Sequence, residues 1–211
     1  MPKRTPLLSR QQKDLALSEL HAAVEAASLF HRDDLSISTR TVYIGSADGD
    51  SEGACDARMA ATLIKNLHVL ESFADKPITV VMNNPGGDVY HGLAIYDAIR
   101  QSPCDVRVIV RGYAMSMGSV ILQAADQRVM GPNAAQMIHY GTTAVSHHSK
   151  TVAKMVREEE RVNAWMERMY LDRIQERCPA FTLAQLKVML DHDTYLTSAE
   201  SVSLGLCDEV G

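Results

Sequence analysis

The chain has 211 residues, 46% of them hydrophobic and 22% charged, which is enough apolar material for one sizeable core in an ordinary globular domain. A formal net charge of −5 supplies no positive field for nucleic acid, and no run reaches the ~18 apolar residues that a membrane span requires. The four cysteines (Cys55, Cys104, Cys178, Cys207) form no CxxC pair, which argues against a zinc site and a disulfide framework and for a reducing, cytoplasmic setting.

In chain order, residues 1–13 read as a polar arm, basic but without the apolar stretch of a secretory signal. "DLALSELHAAVEAASLF" then spaces Leu17, Leu20, Val24 and Ala27 like one face of a helix. "RTVYIGS" reads as a short strand, "ADGDSEGACD" as a loop, and "ARMAATLIKNLHVLES" as a helix. From "PITVVMN" onward strands and helices alternate: a glycine turn, the helix "DVYHGLAIYDAIRQ", the strand "DVRVIVRG", and the helix "SVILQAAD". Such alternation predicts an α/β fold of parallel strands with right-handed crossovers. Two extended pieces follow, "RVMGP" and "AQMIHYG". The segment Ser149 to Arg177 then has the period of a single helix, about 40 Å long at 1.5 Å per residue. Val152, Met155, Val162, Trp165, Met166 and Met169 mark its apolar stripe, expected to be exposed on a lone subunit and covered by a second one. A short helix capped by Thr182, the piece "DTYLT" and a last helix stopped by Gly205 complete the chain.

Three places carry chemistry. In "RGYAMSMGSVILQAAD", Ser116 stands at a strand-to-helix junction between glycines, either as a helix N-cap or as a nucleophile on a tight turn. In "NNPGGDVYHG", Gly86 and Gly87 let backbone N–H groups face a concavity beside a helix start, as a plain turn or as an oxyanion nest. In "AAQMIHYGT", His139 ends an apolar strand, where parallel α/β folds place their chemistry. The pair His147–His148 reads as solvated surface.

The order "NNPGGDVYHGLAIYDAI", "GYAMSMGS", "PNAAQMIHYG", "DTYLTSAESVSLGLCDEV" resembles the proteolytic subunit of the caseinolytic (Clp) protease family, over roughly Thr41 to Val210. The resemblance implies a ClpP/crotonase-like spiral of β-α units with a protruding "handle" helix over residues 41–211, and the helical period adds an N-terminal arm and helix over residues 1–40. It implies a serine endopeptidase with Ser116 as nucleophile, His139 as general base, Asp193 orienting the histidine, and the N–H groups of Gly87 and Met117 as oxyanion hole. Asp191 and Asp208 are the neighbouring alternatives to Asp193. No metal or cofactor is implied. The implied partners are copies of the same chain in two stacked heptameric rings, a hexameric AAA+ unfoldase that alone uses ATP, and peptide or unfolded-protein substrates. The chain departs from the family pattern at Met115, before the serine. It departs again at Thr79 and Val81, where family members often carry the aromatics of an ATPase docking pocket, and in the helical segment before Thr41. Three rival readings share the architecture: a crotonase acting on acyl-CoA, an inactive structural ring subunit, and a phage-type capsid maturation protease.

Overall fold

The apolar alternation of "PITVVMN" sets the centre of the molecule, because Ile78, Val80, Met82 and Asn84 are buried along one face of a strand. The computed structural model describes residues 9–45, 54–141 and 148–211, and among these eight strands join in one sheet. The elements are α1 (Arg10–Asp33), β1 (Leu35–Ser36), β2 (Thr41–Ile44), α2 (Ala57–Phe73), β3 (Ile78–Asn84), α3 (Val89–Arg100), β4 (Val106–Met115) and α4 (Met117–Leu122). They continue with β5 (Gln127–Met130), β6 (Ala135–Ile138), α5 (Ser149–Arg177), α6 (Leu183–Leu190), β7 (Thr194–Thr197), α7 (Ser198–Leu204) and β8 (Glu209–Val210). Strands β2, β3, β4, β5 and β8 are parallel neighbours in that order, and β6 joins β4 in the same sense. Two antiparallel pairs, β1 with β2 and β6 with β7, add to the expected parallel alternation. Helices begin where side-chain acceptors stand ready: Asp56, Asp88, Thr182 and Thr197 each cap the helix that follows. Gly205, at φ +88°, ends α7.

Strand β4 changes partner halfway. Residues 107–110 pair with β5, and residues 113–115 pair with β6. The change falls at Gly112, φ +98°, where an added Cβ would lie 2.5 Å from Asn83 Oδ1. That oxygen accepts the Tyr113 N–H at 3.2 Å. Only glycine both takes this left-handed turn and passes so close to the Asn83 side chain. The expected strand "DVRVIVRG" therefore runs on to Met115, and Ser116 stands at its end.

The long helices differ from expectation in what covers them. Helix α1 begins inside the segment expected to be an arm, because Ser9 and Gln12 form a reciprocal capping box. Residues 1–8 lie outside the described residues. Leu17, Leu20 and Val24 are each more than half exposed. The helix meets the body through Leu29 and through Phe30, which sits edge-on to Tyr43 with ring centroids 4.8 Å apart. Helix α5 has the expected bounds, yet Val162 and Met166 are buried in the subunit's own core rather than exposed. Their four-residue spacing continues through Tyr170 and Ile174, so one line of side chains faces the body along the second half of the helix. Met155, Val156 and Trp165 stay exposed, and Arg161 stacks over Trp165 at 4.6 Å while pairing with Glu158 of the same helix. Among the described residues, no helix is long and apolar enough to cross a membrane.

Candidate active site

Ser116 occupies the N-cap position of α4, but its side chain makes no cap bond. Its backbone sits at φ 50°, ψ −122°, a conformation that costs a non-glycine residue about 1–3 kcal/mol. The hydroxyl instead lies 2.8 Å from His139 Nε2. The capping reading of the serine is thereby excluded, and the geometry is that of a strained turn that lifts Oγ off the end of a strand. The Ser116 N–H donates to the Met137 carbonyl at 2.9 Å, extending the β4–β6 pairing by one residue and fixing the turn against the strand that carries the histidine.

Strand pairing also brings His139 to Asp193. In the antiparallel β6–β7 ladder Ile138 faces Thr194, so the next step places His139 across from Asp193. His139 Nδ1 and Asp193 Oδ1 are 2.8 Å apart. The imidazole is 18% exposed and the carboxylate 55% exposed. The residue after the histidine is held at both ends. Tyr140 N–H donates to the Leu190 carbonyl at 2.9 Å, and Tyr140 Oη donates to Glu167 Oε1 of α5 at 2.5 Å. Burial, then the bond to Glu167, push the Tyr140 phenol above its usual range. Of the alternatives to Asp193, Asp191 ends α6 as its C-cap, and Asp208 is engaged by the Arg128 guanidinium. His148 is exposed at the start of α5, and His147 lies outside the described residues.

The glycine turn rests against this elbow. A Cβ on Gly86 would come within 2.6 Å of Ser116 Cβ and 3.0 Å of Met117 N. The Gly86 N–H is spent on Asn84 Oδ1 at 2.9 Å. Cys55 N–H donates to the Gly86 carbonyl at 2.6 Å, and Asp88 N–H donates to the Cys55 carbonyl at 2.8 Å. In such a parallel bridge the flanked residue, Gly87, turns its own N–H away from Cys55. Met117 N–H, the first of α4, has no intrahelical acceptor. Gly87 N–H in the glycine turn and Met117 N–H at the start of α4, the two groups expected as an oxyanion hole, are spent neither on the Cys55 bridge nor inside the helix. Cys55 is no rival nucleophile, because burial pushes its thiol up to about 12.

The sequence reading missed Asn84, Ser119, Glu167 and Tyr170. Asn84 is fully buried beneath the glycine turn, where its side chain bonds Gly86 and Cys55. Ser119 is a buried hydroxyl inside the apolar run "SVIL", and that anomaly was the available signal. Among the described residues, no group of three or more His, Cys, Asp or Glu is arranged to hold a metal ion.

Comparison with known proteins places the chain in a family. A family model described as Clp protease matches residues 49–211. The ATP-dependent Clp protease proteolytic subunit 2 of Pseudomonas aeruginosa is 28% identical over 205 residues, 96% of this chain and 94% of its own length. The ATP-dependent Clp protease proteolytic subunit of Deinococcus radiodurans is 32% identical over 160 residues, 74% of this chain and 75% of its own. A solved structure of a ClpP1 mutant from Listeria monocytogenes matches with a TM-score of 0.70 at 28% identity, covering 83% of this chain and 92% of that one. A fold of parallel strands and helices, a strained serine turn and a family match over most of the length lead to one conclusion: the chain is a ClpP-like peptidase and belongs to the Clp protease family.

Proposed function

We propose that the protein is a serine endopeptidase that cleaves peptides and unfolded proteins through an acyl-enzyme on Ser116. The observation that carries this is the unbroken line Ser116 Oγ, His139 Nε2, His139 Nδ1, Asp193 Oδ1, with both gaps at 2.8 Å. With its proton on Nδ1, His139 donates to Asp193 and accepts the Ser116 proton on Nε2 as Oγ attacks the scissile carbonyl. Gly87 and Met117 N–H groups bind the oxyanion that forms. The imidazolium then gives its proton to the leaving amine, and a water activated by the same histidine releases the acyl group. Asp193 holds the tautomer and stabilises the imidazolium.

A fluorophosphonate probe tests this reading. Ser116 is expected to be its site of attachment, and Ser116→Ala to lose labelling together with peptide hydrolysis while keeping the native mass. Labelling elsewhere, or hydrolysis retained by Ser116→Ala, would reject it.

Assembly is the second part of the proposal. Met155 and Val156 remain apolar and exposed on the first half of α5, and Trp165 just beyond its midpoint. Pairing of this stretch with its counterpart in a second subunit supports two stacked heptameric rings enclosing the active sites, fed by a hexameric unfoldase. Met155→Asp combined with Trp165→Asp should lower the native mass measured by sedimentation. An unchanged mass would remove α5 from the subunit contact.

A further inference from the structure

A chain of hydroxyls runs from the long helix to the nucleophile's own peptide group. Tyr170, on the buried line of α5 and 1% exposed, meets Ser119 Oγ in a short hydrogen bond. Ser119 Oγ in turn donates to the Ser116 carbonyl at 2.7 Å. A serine hydroxyl has one proton, and here it goes to that carbonyl, so Tyr170 is the donor in the first link. Burial pushes the Tyr170 phenol above its usual range, which keeps that proton in place. The same carbonyl also accepts the N–H groups of Ser119 at 2.9 Å and Val120 at 3.3 Å. Those two backbone bonds already satisfy a helix-capping carbonyl, so the hydroxyl chain is additional to what α4 needs.

The Ser116 carbonyl and the Met117 N–H belong to one peptide unit, planar because its electrons are shared between oxygen and nitrogen. Hydrogen bonds donated to the oxygen draw charge from the nitrogen and make the N–H a stronger donor, an effect of about 10–30% per bond in chains of this kind. We propose that Tyr170, acting through Ser119, is a positioning residue that polarises and orients the Ser116–Met117 peptide so that Met117 N–H binds the transition-state oxyanion more tightly. This rests on Ser116 as nucleophile and Met117 as oxyanion donor. It gives the long helix a role in the chemistry of its own subunit, 51 residues along the chain from Ser119.

The test reads the strength of the oxyanion contacts directly. The unmodified protein, Tyr170→Phe, Ser119→Ala and the double variant are acylated with a β-lactone. The ester carbonyl stretch of each acyl-enzyme is recorded by isotope-edited infrared spectroscopy, alongside peptide hydrolysis. Removing one oxyanion donor costs roughly 100- to 1,000-fold in kcat, so weakening one by a tenth to a third should cost roughly two- to eight-fold. Ser119→Ala, which removes the bond to the carbonyl, should move the band to higher wavenumber and lower kcat by that factor with KM unchanged; Tyr170→Phe, which keeps the ring, its packing and the Ser119 bond, should move both in the same direction by less. Because the two hydroxyls act in series, the double variant should be no worse than Ser119→Ala. An unmoved band, a loss confined to KM, or additive losses in the double variant would overturn the proposal. If Tyr170→Phe does not fold, Ser119→Ala decides by the same band: a shift supports the proposal and no shift ends it. Failure of the lactone to acylate Ser116 in the unmodified protein would overturn the function reading itself, and this inference with it.

Discussion

At the end of β6, Asp193 stands immediately before strand β7 and receives a histidine nitrogen; at the start of β5, Asp208 stands immediately before strand β8 and receives the Arg128 guanidinium. Both aspartates are fixed by the pairing of the short strand that follows them. The partner makes the difference. Arg128 is 4% exposed and permanently charged, and it also donates to Gln123 Oε1 at 3.0 Å and to the Gly205 carbonyl at 2.9 Å. Its pair with Asp208 has no proton to exchange and serves to lock the β5–β8 corner. His139 has the Ser116 hydroxyl on its far side, so in the function proposed above the pair with Asp193 takes up a proton and returns it. The same residue type at the same place before a strand becomes a clamp or, in the function proposed above, part of a relay, according to the side chain it meets.

The largest expected effect that separates the two corners is Asp193→Asn. It should lower kcat by about 10³- to 10⁴-fold, because an asparagine favours the wrong imidazole tautomer, while the melting temperature stays near that of the parent. A fall in stability without a fall in kcat would make Asp193 a second clamp and break the contrast. Gly87→Val comes next. An added Cβ there would lie 2.6 Å from Cys55 N at φ +135°, so the bridge to Cys55 must shift and carry the Gly87 N–H away from the substrate carbonyl. A loss of about 10²- to 10³-fold in kcat is expected, as for one missing oxyanion donor, and a change confined to KM would count against that role. Asp208→Asn should have the smallest effect and the opposite signature. Removing one partner of a fully buried pair costs about 3–5 kcal/mol; with Asp208 37% exposed, about 2 kcal/mol is expected from denaturant unfolding, and kcat per folded molecule should not move.

Acid sharpens the same comparison. Burial alone would raise the Asp208 carboxyl, but the hydrogen bonds from Arg128 outweigh it and hold the group below its usual value. A carboxyl lowered in the folded state contributes stability that is complete above its unfolded pKa, about 3.9, and is lost as the pH falls through the folded value. Melting temperatures measured downward from pH 5 should therefore fall more steeply for the parent than for Asp208→Asn. Parallel curves would mean that the Arg128 pair contributes nothing to acid stability.

Local signals carried much of this molecule into view. The caps at Thr182 and the stop at Gly205, the strand face of Ile78, Val80 and Met82, and the bounds of α5 follow from propensity and period, which depend on neighbours in sequence. Tertiary partners were not legible. Leu17, Leu20 and Val24 have the spacing of a buried face but meet no cover among the described residues, while Val162 and Met166, expected outside, are buried on the line that Tyr170 and Ile174 continue onto the core. Period gives the face of a helix and not what lies opposite. The site divides in the same way. Ser116 and His139 show themselves at strand ends, but the choice of Asp193 over Asp208 depends on an antiparallel register between segments 54 residues apart, and only the family resemblance supplied it beforehand. Tyr170 lay beyond any local signal, since its meaning comes from Ser119 across a helix packing.

The left-handed backbone at Ser116 sets chemistry and durability against one another. Glycine tolerates φ 50°, ψ −122° without the penalty that a Cβ incurs there, so the most comfortable occupant of this turn is a residue with no hydroxyl to offer. A population screened for thermal endurance alone would drift towards glycine at this position and fall silent, whereas one screened for hydrolysis would keep the serine and its tension.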